Sequence, residues 1–114
     1  MTFEITAQAA ELRDRVKVFM ASHVYPMEDQ WEALLEARSD RWQPVPMMEE
    51  LKSLAREEGL WNLFFPDDQH GAGLSNVDYA YICEEMGRSF IGPEVFNCSA
   101  PDTGNMEVLA QYGT

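Results

Sequence analysis

The side chains that could do chemistry are few, and their spacing suits none of the common constellations. Gly71-Ala72-Gly73 invites comparison with a phosphate-cradling turn. A dinucleotide-binding turn needs a third glycine three positions on and a strand before it. Asn76 holds the third position, and Pro66, Asp67 and Asp68 precede the loop. Carboxylates beside a phosphate loop repel its ligand, so the segment reads as a flexible turn. His23 and His70 have no HExxH neighbour and no cysteine at ligand spacing, so no zinc site is recognisable. The acids of residues 67–73 lack the alternation of an EF-hand loop. His23 follows Phe19 by one helical turn and is expected to border a core, whereas His70 is expected in solvent.

Adjacent carboxylates recur at Glu49-Glu50, Glu57-Glu58, Asp67-Asp68 and Glu84-Glu85. Helical neighbours point about 100° apart, so such pairs share no proton site and read as solvated faces. Ser75, Ser89 and Ser99 have no GxSxG context. Cys83 and Cys98 lack a CxxC spacing and read as reduced, buried thiols. The seven methionines are either core filler or the lining of a wide apolar groove. Phe96, Ala100 and Pro101 mix bulk with small side chains, which suits an alkyl chain lying across a helix junction. From the residues alone, no catalytic, cofactor-binding or metal-binding cluster emerges.

These groups must be carried by helices. Thr6 is expected to cap a helix from Ala7, with Leu12, Val16, Phe19, Met20 and Val24 as its apolar stripe. Pro26 should end or kink it. A second helix, 27–38, turns Trp31, Leu34 and Leu35 to one side. After a Pro-rich connection, Pro46 suits the first turn of a third helix with Met47, Met48, Leu51, Leu54 and Ala55 inward. Gly59 is its natural C′ residue. Residues 60–66 read as an irregular, core-facing segment. Ser75 and Asp78 have the form of a capping box for a helix with Tyr79, Ile82, Cys83 and Met86 on one face. A short helix is expected over 93–99, and a last one after Pro101 with Met106, Leu109 and Ala110 inward. No hairpin signal, repeat or low-complexity tract appears. The expected fold is all-α, an irregular bundle of five or six helices in one domain over 1–114.

The length of 114 residues allows one modest core, and 46% apolar residues fit a globular chain. Eight basic against 20 acidic side chains give a net charge of −12. That balance argues against nucleic acid and against an anionic membrane surface as partners. Apolar runs such as Leu63-Phe64-Phe65 are too short to span a bilayer. The N-terminus shows neither a basic segment nor an apolar h-region, and the chain reads as cytoplasmic.

Several motifs together resemble a known family. They are Gly59-Leu60-Trp61-Asn62-Leu63-Phe64-Phe65-Pro66, the Gly71-Ala72-Gly73-Leu74-Ser75 loop, the helix end Glu84-Glu85-Met86-Gly87-Arg88-Ser89, and the run from Phe96 to Leu109 with its APDTGNMEVL string. The sequence is similar to the N-terminal helical domain of the acyl-CoA dehydrogenases over nearly its whole length, best from Gly59 onward. The final run is long and specific, whereas the glycine loop alone would be weak. One departure is His70, which stands where the family's loop often has a first glycine.

The resemblance implies a three-part flavoenzyme with a helical front, a β middle and a helical back. Such enzymes use FAD to oxidise acyl-CoA to 2,3-enoyl-CoA; a carboxylate takes the α proton and flavin N5 takes the β hydride. It implies that the base and most flavin contacts lie in the middle and back domains, which have no counterpart here. The front then supplies one wall of the acyl pocket, from Val95, Phe96, Ser99, Ala100 and Thr103. Implied partners are acyl-CoA and the remaining domains, in a homo-oligomer when complete. The chain alone is expected neither to bind FAD tightly nor to turn over acyl-CoA. The alternative is a stand-alone helical interaction module that kept the fold and lost the enzyme.

Overall fold

A computed structural model describes residues 3–114; Met1 and Thr2, part of the N-terminal reading above, lie outside the described residues. Six α-helices and no strand occur among the described residues. Helix α1 (Ala7–Phe19) begins where Thr6 predicts, its Oγ1 accepting from the Ala9 N–H at 3.2 Å. The chain stays helical through Pro26, although α1 itself ends at Phe19. It loosens into a π-helical turn, Met20–Val24, then tightens into a 3₁₀ turn, Tyr25–Met27, and runs on as α2 (Glu28–Glu36). Tyr25 N–H reaches back five residues to Met20 O. A register change of this kind lets a helix absorb a residue that cannot donate.

Helix α3 (Pro46–Glu57) starts on its proline. It stops at Gly59 in a Schellman turn, with φ +73°, Gly59 N–H on Arg56 O and Leu60 N–H on Ala55 O. Helix α4 (Asn76–Met86) is capped by Ser75 Oγ, which accepts from Asp78 N–H at 3.2 Å. The other half of the capping box is not made. Asp78 is buried, and its carboxylate accepts from Thr6 N–H at 3.1 Å and Thr6 Oγ1–H at 2.7 Å. One acid thereby joins the starts of α1 and α4, which pack side by side.

Phe19, Met20, Met48, Leu60, Leu63, Ile82, Met86, Val95 and Phe96 fill the centre, so most of the described methionines are core filler. Phe96 meets Phe19 edge-on at 5.2 Å, and His23 borders the core beside Phe19 at 4.7 Å. Residues 60–66 are irregular and core-facing as expected, with Leu60, Leu63, Phe64 and Phe65 buried.

Four expectations are corrected. Helix α5 is only Gly92–Val95, because Asn97 turns left-handed (φ +56°) and closes a second Schellman turn, with Asn97 N–H on Glu94 O and Cys98 N–H on Pro93 O. Helix α6 (Asp102–Tyr112) has no fully buried residue, and Leu109 and Ala110 face outward, leaving Met106 half-buried. Cys83 is exposed, and only Cys98 is the expected buried thiol. Glu85 is buried, not solvated, and bonds Arg88 Nε at 3.1 Å, while Glu84 stays exposed.

Candidate functional site at the α5–α6 junction

The junction is built from the turn after α5. Asn97 reverses the chain, sending Cys98 inward and bringing Ser99, Ala100 and Thr103 to the surface. Lys52 pins α5 to α3 through Glu94 at 3.4 Å. Burial pushes the Cys98 thiol up from its ordinary range, against the N–H groups of Phe64 and Leu63 that favour its thiolate. Cys98 is therefore a poor nucleophile, and its Sγ–H points to Phe96 O at 3.3 Å.

The sequence-predicted wall divides in two. Val95 and Phe96 are 0% exposed and face the interior. A side chain without accessible surface touches no ligand from outside, so in this structure these two belong to the core. Ser99 and Thr103 are half-buried and Ala100 is exposed, which leaves them able to present one. Further along α6, its outer side carries Val108, Leu109 and Tyr112 at 57%, 68% and 79% exposure. Between α6 and the 62–70 segment lies an open groove of about 350 Å3, lined by Asn62, Phe65, His70, Met106, Leu109 and Ala110.

The glycine loop serves the chain itself. A Cβ on Gly71 would lie 2.5 Å from Asn62 O and 2.8 Å from Phe65 Cβ, so glycine is needed for close packing on residues 62–65. His70 is exposed as expected, its N–H and Nδ1 meeting Asp67 Oδ1 at 2.7 and 2.9 Å. The His70 N–H foremost holds the Asp67 carboxyl below its ordinary range. Among the described residues, no group of three or more His, Cys, Asp or Glu could hold a metal ion, and no helix is long and apolar enough to cross a membrane.

Residues 6–114 match the family model described as acyl-CoA dehydrogenase, N-terminal domain. The chain belongs to the acyl-CoA dehydrogenase family. Acyl-CoA dehydrogenase family member 10 of Mus musculus is 50% identical over 91% of the chain, and family member 11 of Gallus gallus is 49% identical over 98%. "Probable acyl-CoA dehydrogenase FadE2" of Mycobacterium tuberculosis is 43% identical over 100% of it. The chain spans 10%, 14% and 28% of those three relatives. A solved structure from Mycobacterium abscessus, assigned to the acyl-CoA dehydrogenases, superposes with a TM-score of 0.83 at 47% identity, over 97% of this chain and 29% of that one. The all-α bundle is thus the family's N-terminal domain.

The family implies FAD, and the glycine loop of this chain does not fit its phosphates. The space a phosphate would need beside Gly71 is taken by the chain's own carbonyls, and Asp67 and Asp68 flank the loop. Sequence reasoning missed two residues that organise the junction, Asn62 and Asn97. A usable signal was present: asparagine is the non-glycine residue that best tolerates a left-handed backbone, and Asn97 follows a short helix opened by Pro93.

Proposed function

We propose that this domain serves an FAD-dependent acyl-CoA dehydrogenase that oxidises acyl-CoA to 2,3-enoyl-CoA. In this reading Ser99, Ala100 and Thr103 present one wall of the acyl pocket, and the base and flavin cradle belong to other domains. The observation that carries the reading is the specific 96–109 run folding into a junction whose small side chains reach the surface just before and within the first turn of α6. Small side chains leave room for an alkyl tail. The exposed face of α6 weighs against a stand-alone module, which would cover its apolar surface.

The test is a graft in which residues 6–114 replace the matching segment of the Mycobacterium tuberculosis relative. Acyl-CoA should bleach the flavin of the graft. Ala100→Leu, which narrows the wall, should lower kcat/KM for long acyl-CoA about tenfold relative to short acyl-CoA. A graft that holds FAD yet is reduced by no acyl-CoA would refute the reading.

A further inference from the structure

We propose that Asn62 and Asn97 form a clasp that sets the position of the α5–α6 junction for acyl binding. Both are thereby positioning residues for substrate selection; this rests on the functional reading above.

Among the described residues these two are the non-glycine positions with positive φ, +58° at Asn62 and +56° at Asn97. They meet each other although 35 residues apart. Asn97 Nδ2 donates to Asn62 Oδ1 at 2.7 Å and also lies 3.3 Å from Met106 Sδ. The backbone repeats the link, Asn62 N–H donating to Phe96 O at 3.2 Å. One amide therefore holds three pieces of chain: the 60–66 segment, the turn after α5, and α6. The residues that follow it directly are Cys98, Ser99 and Ala100.

Turn closure alone does not call for this arrangement. Glycine at 97 would close the Schellman turn without a Cβ in the left-handed region, as Gly59 does after α3. Two left-handed asparagines bonded to each other add direction, because a half-buried amide pair has one low-energy geometry and an alkyl contact has many. Non-glycine residues held in such conformations gather where geometry matters for binding. Loosened, the junction would keep its core layer, Val95 and Phe96, and lose the fixed placement of Ser99 and Ala100.

A matched pair of variants isolates the bond. N97D removes the donor. N62D keeps an acceptor at the same place. Both preserve shape, tolerate the left-handed backbone and add one negative charge. N97G removes the amide without backbone strain and guards against misfolding of N97D. Two measurements are made: hydrogen exchange of residues 98–104 in the chain itself, and steady-state kinetics in the graft described above. N97D and N97G should exchange faster over 98–104 than wild type and N62D. In the graft they should raise KM for long acyl-CoA about fivefold, the weight of one neutral hydrogen bond, with kcat within about twofold. N62D should match wild type. If N97D and N62D behave alike, or if exchange changes and KM does not, the clasp has no positioning role. If the wild-type graft holds FAD but is reduced by no acyl-CoA, the functional reading fails and the acyl role of the clasp falls with it. Unchanged exchange in N97D alongside an active graft overturns the clasp alone.

Discussion

At the scale of residues, the molecule depends on a few side chains that satisfy two helices at once. Asp78 is the clearest. It is 5% exposed and takes both the N–H and the hydroxyl of Thr6. Asp78→Ala should lower unfolding stability by about 2 kcal/mol, and Thr6→Ala by about 1 kcal/mol, read from urea melts. Equal, negligible losses would show that the two helix starts are held by packing alone. Gly71 offers a second test. Gly71→Ala should cost about 2 kcal/mol or more, because the new methyl meets backbone that cannot yield. Gly104→Ala, inside α6 with open space around it, should stabilise by up to about 1 kcal/mol. The thiols differ as well. Iodoacetamide should label Cys83 quickly and Cys98 only after unfolding, since Cys98 is buried and its thiolate is disfavoured. Mass mapping of the labelled peptides reads this directly.

At the scale of elements, the six helices are unequal. Helices α1, α3 and α4 bury residues on defined faces, whereas α2 and α6 bury none fully. An amphipathic helix gains most of its stability by packing, so an unburied one is either weakly held or made to be covered. On α6, Val108, Leu109 and Tyr112 are the exposed apolar side chains that a neighbour would cover. Leu109→Lys should leave the melt of the isolated chain within about 0.5 kcal/mol. The same change should reduce concentration-dependent association of the chain in sedimentation experiments. Unaltered sedimentation would mean that α6 is not an adhesive face.

At the scale of the whole molecule, the radius of gyration is 14.9 Å, against about 13 Å for a compact domain of this length. The excess agrees with helices that lie on the outside of the core rather than around it. Three of its lengths, 49 × 37 × 23 Å, describe a slab rather than a sphere. A slab offers a broad face to neighbours. Isothermal titration of the isolated chain with FAD should show no stoichiometric micromolar binding, because Gly71 packs against the chain's own carbonyls and Asp67 and Asp68 flank the loop. Tight binding there would contradict the fit described for residues 67–73.

Local rules of short range determined much of this protein before any coordinates. The caps Thr6 and Ser75, the proline start of α3, the glycine stop at Gly59 and the stripes of α1 and α3 follow from hydrogen-bond and periodicity constraints that act within a few residues. The family, too, was legible in the linear run from Phe96 to Leu109. Tertiary structure decided what periodicity cannot carry, namely which apolar stripe finds a partner. Leu109 and Ala110 have the spacing of core residues and lie outside, while Glu85 reads as a solvated acid and Asp78 as half of a capping box, and both lie inside. Burial is a relation between distant segments, and so is the Asn62–Asn97 bond; neither is written at any single position.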